Sequence, residues 1–146
     1  VGTLVDSTVF VQLERKHKRQ ATTEALAVVS WQLAREFGAD ETVGIAAITA
    51  SELLHGVHRA NAEHRARREA FVEAVLETYP TLPFDFRCAR VHSRVWADLV
   101  TAGADTGAHD RIIAATALAH GWRLATANVR HFRNVQGLEV VELDLA

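Results

Sequence analysis

Asp6, Glu52, Asp110 and Asn128 are the residues of this chain best placed to do chemistry together. Each carries a carboxylate or an amide, and each stands where an apolar strand ends or a helix begins. In an open α/β sheet, the crevice outside the carboxyl ends of the strands gathers residues that are remote in sequence. A cluster of carboxylates with few basic neighbours calls for a cation. Hard oxygen donors suit Mg²⁺ or Mn²⁺, and such ions activate water and neutralise the leaving oxygen when a phosphodiester is cleaved. The expected chemistry is that of a metal-dependent nuclease.

The elements that must position these residues follow from the apolar pattern. Thr3-Leu4-Val5 reads as a short strand ending at Asp6, with Ser7 or Thr8 able to cap a helix that carries Val9, Phe10 and Leu13. A helix is expected from Thr23 to Phe37, stopped by Gly38, and a second strand over Val43 to Ile48. Thr49-Ala50-Ser51-Glu52 has the form of a capping box opening a helix through Leu53, Leu54 and Val57. The next helix has Phe71, Val75 and Tyr79 on its apolar face. A third strand is expected over Leu82 to Phe86, and Val91, Val95 and Leu99 mark the helix after it. Gly107-Ala108-His109-Asp110 leads into an almost wholly apolar helix that Gly121 ends. Leu124-Ala125-Thr126 is the fourth strand, just before Asn128, and Glu139 to Leu143 the fifth. Strands alternating with helices imply a parallel sheet of α/β class.

Composition sets the bounds. The 146 residues fit a single domain spanning 1–146, with no linker or repeat to divide it. The lone Cys88 has no partner for an internal disulfide, there is no signal-peptide pattern, and the apolar runs fall far short of the ~20 residues of a membrane helix. A cytoplasmic protein with no membrane association is expected. The net charge of −2 argues against a general nucleic-acid coat. Any phosphate contact must be local, with Arg15 to Arg19 and Arg59 to Arg68 as the candidate clusters.

Four blocks carry a resemblance over nearly the whole chain: Leu4-Val5-Asp6-Ser7, Ser51-Glu52-Leu53-Leu54-His55-Gly56, Gly107 to Ala117, and Thr126-Ala127-Asn128-Val129-Arg130-His131-Phe132. In this order and at these separations, they resemble a PIN-domain ribonuclease of the VapC toxin type. The resemblance implies a three-layer α/β/α sandwich around a central parallel five-stranded sheet. It implies a Mg²⁺- or Mn²⁺-dependent endoribonuclease with Asp6, Glu52 and Asp110 as the metal-binding acids and Asn128 as the fourth catalytic position. It further implies an RNA substrate, a cognate antitoxin, a homodimer and a toxin–antitoxin hetero-oligomer. Many relatives have an acid where Asn128 stands or just before the phenylalanine, whereas this chain has Asn128 and His131; Asp105 is a further acid nearby.

Each acid also has a purely structural explanation. Asp6 can precede a helix, Glu52 can complete a capping box, Asp110 suits the positive end of a helix and Asn128 suits a turn. Their coincidence at one sheet edge favours the site. Thr8 and Thr126, beside it, are candidates to hold water or phosphate, and His109 to touch substrate. His55, His58 and His64 have the look of zinc ligands but lack a companion cysteine.

Two other classes compete. A receiver-type phosphoacceptor domain has adjacent acids after its first strand and a lysine after its fifth, whereas here Ser7 follows Asp6 and no lysine follows Lys18. A PIN-like module that binds RNA or protein without cutting differs only in activity.

Overall fold

The computed structural model of the chain describes residues 2–16, 23–104 and 106–145. In chain order the elements are β1 (Gly2–Val5), α1 (Ser7–Lys16), α2 (Thr23–Phe37), β2 (Thr42–Ala46), α3 (Ala47–Arg59), α4 (Ala62–Thr78), β3 (Thr81–Leu82), α5 (Phe86–Thr101), α6 (Ala108–His120), β4 (Arg123–Thr126), a 3₁₀ turn (Val129–His131) and β5 (Val140–Glu142). The strands form one sheet in the order β3-β2-β1-β4-β5, with every pairing parallel. The expected five-stranded parallel sheet is therefore observed.

Alternation along the strands divides the core into two. Val5, Ile45 and Ala125 point to one face, where α1 to α4 bury Val9, Phe10, Leu26, Leu33, Leu53, Phe71 and Val75. Leu4, Ala46 and Leu124 point to the other, against Val95, Leu99, Ile113, Ala114, Ala117, Phe132 and Val135 from α5, α6 and the segment after β4. Successive side chains of a strand face opposite ways, so a two-residue run such as Leu4-Val5 feeds both cores. The result is three layers. No helix among the described residues is long and apolar enough to cross a membrane.

Trp122 explains why glycine starts β1. A Cβ on Gly2 would stand 2.7 Å from the Trp122 ring and 2.8 Å from the Thr42 carbonyl oxygen. Only a residue without a side chain lets the indole lie against the central strands. Beside it, the Arg123 guanidinium bonds Glu41 and Glu139 and lies 3.7 Å from the centre of the Phe37 ring, while Thr3 donates to Glu41 over 2.9 Å. This polar lattice closes the amino-terminal edge of the sheet and leaves the carboxyl edge open for chemistry.

Three sequence expectations need correction. Thr49 to Glu52 is not a capping box: α3 starts at Ala47, directly from β2, and its N-cap Ala46 makes no side-chain cap bond. The Thr49 hydroxyl is buried without a hydrogen-bond partner among the described residues. β2 accordingly ends at Ala46, not Ile48. The strand expected over Leu82 to Phe86 shrinks to Thr81–Leu82. Pro83 offers no N–H to a ladder, and the Asp85 side chain accepts from the Cys88 N–H at 3.0 Å, so the helix begins at Phe86. Gly121 does end α6, in the left-handed conformation at φ 69°. The first basic cluster divides: Arg15 and Lys16 close α1, and residues 17–19 lie outside the described residues, as does Asp105.

Candidate active site

Strand order reverses around β1, with β2 on one side and β4 on the other. Asp6 sits at that switch point, one residue past β1, where its N–H bonds the Ala125 carbonyl at 2.9 Å and extends the β1–β4 pairing. Its carboxylate is buried and fully engaged. Oδ1 accepts from the Ser7 N–H at 2.8 Å, and Oδ2 accepts from the hydroxyls of Thr126 at 2.8 Å and Thr8 at 2.9 Å. Thr8 and Thr126 are in turn held by each other at 3.3 Å, while the N–H groups of Ala127 and Asn128 donate to their oxygens. The orientation of Asp6 is thus set by β1, α1 and β4 at once. Thr126→Val is expected to lower unfolding free energy by about 1–3 kcal/mol, because it leaves a buried acceptor short of a donor; urea denaturation checks this, and an unchanged midpoint would mean that Asp6 does not depend on Thr126.

Glu52 approaches from α3. The Ser7 hydroxyl donates to its Oε1 at 3.4 Å, so one serine links Asp6 and Glu52, and His109 Nδ1 lies 3.3 Å from its Oε2. Asp110 lies in the first turn of α6, where unpaired N–H groups and the helix dipole favour negative charge. Its Oδ2 is 3.1 Å from His131 Nδ1. The structure therefore gathers Asp6, Glu52 and Asp110 at the open carboxyl edge of the sheet, as the sequence analysis expects. Asn128 reaches the same edge, but its side-chain amide meets His131 Nε2 at 2.9 Å. The role of His131 is the part that sequence reasoning underweights. Its spacing of three from Asn128 was the available signal, since side chains at i and i+3 eclipse across a 3₁₀ turn.

The electrostatics suit a cation. Burial pushes the Glu52 pKa above its ordinary value, and Asp6 and Asp110 push it the same way, against the hydrogen bond and charge of His109. Burial, then Asp6, also raises Asp110, against His131. Carboxylates that repel one another across a half-buried site are costly to keep charged unless a positive ion joins them. As placed, no three His, Cys, Asp or Glu side chains among the described residues stand together in ligand geometry. What fits the ion is the donor set: three convergent acids, one rigidly held and two raised by mutual charge.

The remaining candidates sort by position. Cys88 is buried and its thiol donates to the Pro83 carbonyl at 3.6 Å; burial pushes its pKa up, the wrong direction for a nucleophile. His55 and His58 lie on α3, and His64 on α4 pairs with Arg67 at 3.1 Å. A cleft of about 570 Å³ runs between α1, α3 and α4, lined by Phe10, Val11, Glu14, Gly56 and Phe71, with Glu52 at its wall and Arg15 and Arg68 beside Glu14. Val9, Leu13 and Val57, whose apolar faces suggested a groove for a partner, are instead core. Val11 is the exposed apolar residue of α1.

Comparison with known proteins places these features in a family. The PIN domain matches residues 3–138. A protein of Rickettsia felis named Ribonuclease VapC1 is 34% identical over 142 residues, covering 97% of this chain and 96% of its own. Ribonuclease VapC of Rickettsia bellii is 28% identical over 146 residues, covering 99% and 98%. Among solved structures, a chain from VapBC2 of Rickettsia felis bound to a DNA fragment from its promoter superposes with a TM-score of 0.82, covering 99% of this chain and 100% of that one at 20% identity.

Proposed function

The chain belongs to the PIN-domain family of VapC ribonucleases, and from that premise we propose that it is the toxin of a type II toxin–antitoxin pair, an endoribonuclease that inhibits translation and growth by cutting RNA. The observation that carries this reading is the gathering of Asp6, Glu52 and Asp110 at the sheet's switch point in a chain alignable end to end with a ribonuclease. Asp6, Glu52 and Asp110 are the residues to hold Mg²⁺ or Mn²⁺, and Asn128 completes the catalytic set. An ion held there supplies Lewis-acid activation of water and charge neutralisation at the scissile phosphodiester.

The chain's own groups do the rest. Thr8, Thr126 and the Ser7 N–H fix Asp6 so that no reorganisation is needed when substrate arrives. The Ser7 hydroxyl orients Glu52. The amino-terminal end of α6 offers N–H groups and a positive dipole to an approaching phosphate. Water is the nucleophile, so no side chain forms a covalent intermediate, and the product carries a 5′-phosphate.

Partners follow from the same reading. Residues 1–146 act as a single domain in the cytoplasm, as a homodimer that a cognate antitoxin holds inactive in a hetero-oligomer. The cleft between α1, α3 and α4 leads to Glu52 and suits an antitoxin segment with an apolar side and an arginine able to fork onto the carboxylates.

Sequencing of RNA 5′ ends after brief expression, beside an Asp6→Ala control, tests the activity and identifies the target. New 5′-phosphate ends at a recurrent site that vanish in the control are the expected result. Growth arrest without new ends would overturn the enzyme in favour of a non-cleaving RNA- or protein-binding module, a reading to which the absence of a carboxylate at Asn128 and His131 gives specific support.

A further inference from the structure

His131 is the side chain that the proposed chemistry leaves unused, and its surroundings are specific. The ring lies at the open edge of the site and is about half exposed (54%), so it is not a core residue. One nitrogen, Nδ1, faces Asp110 Oδ2 at 3.1 Å, while the other, Nε2, faces the Asn128 amide at 2.9 Å. The two contacts lie on opposite edges of the ring. On the 3₁₀ turn, residues three apart stack, and Phe132, immediately after, is buried in the core and pins the turn.

We infer that His131 supplies a nitrogen ligand to this site, that Asn128 sets its tautomer, and that the cation preferred is consequently Mn²⁺ rather than Mg²⁺. The inference rests on the reading of Asp6, Glu52 and Asp110 as a divalent-cation site. Mg²⁺ is bound almost solely through oxygen and sheds its waters reluctantly, whereas Mn²⁺ stands higher in affinity for mixed nitrogen and oxygen donors. A histidine that ligates a metal through one nitrogen gives its other N–H to an oxygen acceptor. Asn128 is suited to that task because its amide serves either tautomer. With its nitrogen toward Nε2, as here, the ring proton sits on Nδ1 and is donated to Asp110. After a half-turn of the amide, its oxygen accepts from Nε2–H and the Nδ1 lone pair is free to face the acids. An aspartate at Asn128 would hold only the second state, and an aspartate at His131 would make the site all oxygen. The fourth corner of the site is thus a pair: an amide that orients and an imidazole that binds.

The test uses purified protein titrated with Mn²⁺ or Mg²⁺ alone by calorimetry, with electron spin echo modulation on the Mn²⁺-loaded sample to detect a directly bound ¹⁴N. Wild type is expected to bind Mn²⁺ more tightly than Mg²⁺ and to show ¹⁴N modulation. His131→Ala should abolish the modulation and narrow the Mn²⁺ preference, and His131→Asp should restore affinity for Mg²⁺ without restoring the modulation. Asn128→Ala should weaken Mn²⁺ binding roughly 10-fold or more, as loss of an outer partner does. Circular dichroism of each variant separates these effects from misfolding. Modulation that survives His131→Ala, or that His109→Ala alone removes, overturns the inference while leaving the cation site standing. Absence of Mn²⁺ binding in wild type, or binding that survives Asp6→Asn and Glu52→Gln together, overturns both.

Discussion

Asp6→Asn, Glu52→Gln and Asp110→Asn are each expected to cut the rate of RNA cleavage by roughly a thousandfold or more, since the several kcal/mol that Lewis-acid catalysis supplies convert at about tenfold per 1.4 kcal/mol. The proteins should remain folded. In chelator, Glu52→Gln and Asp110→Asn should melt above wild type, because both carboxyls have folded-state pKa values raised first by burial and then by neighbouring acids. For such a group the folded state holds the proton more tightly than the unfolded one, so its contribution to stability falls as pH rises from the unfolded pKa through the folded pKa. Metal-free wild type should therefore gain stability as pH is lowered through that window, and the two variants should gain less. Two of the three acids retaining wild-type cleavage rates would remove the assigned site; identical melts in chelator would remove the repulsion argument while leaving the catalytic one.

Phe132→Ala is expected to cost about 3–5 kcal/mol of stability, the usual range for emptying a buried phenylalanine. The side chain is fully buried against Leu4, Ile113 and Leu124, and its backbone N–H closes the 3₁₀ turn on the Val129 carbonyl at 3.0 Å. The loss should lower the melting temperature by roughly 10 °C or more at this chain length. Because the turn carries Asn128 and His131, metal affinity measured well below the melt should fall as well, and Phe132→Leu should restore most of both. A melt within a degree or two of wild type would show that the second core does not depend on this residue.

Much of this arrangement was legible in the sequence. Leu4-Val5 before Asp6 and Leu124-Ala125 before Thr126 are short apolar runs ending in polar residues, and the sheet places them side by side as the central pair. The apolar helix after Asp110 was equally plain, because a helix buried on several sides has no polar stripe. What failed was local. Thr49 to Glu52 imitates a capping box, yet α3 starts two residues before it because β2 passes into the helix with no loop between them. Phe84 and Phe86 have strong strand preference, but Pro83 and the Asp85 cap outweigh it, leaving both rings exposed. His131 escaped attention because a search for carboxylates does not register an imidazole, and its tie to Asn128 exists only once the turn is formed.

Asp6 and Thr126, joined by one hydrogen bond at the heart of the site, are 120 positions apart in the chain. During synthesis β1 leaves the ribosome long before β4, and the Asp6 N–H has no Ala125 carbonyl to meet until that strand arrives. The pairing is non-local, and its loop-closure entropy is offset only when β4 docks between β1 and β5. A growing chain bound to its own messenger thus carries Asp6, Glu52 and Asp110 without the strand that seats them. The order in which the strands are made delays a destructive activity until translation of residue 126 is complete and its strand has emerged, which leaves the template that encodes the protein intact while it is being read.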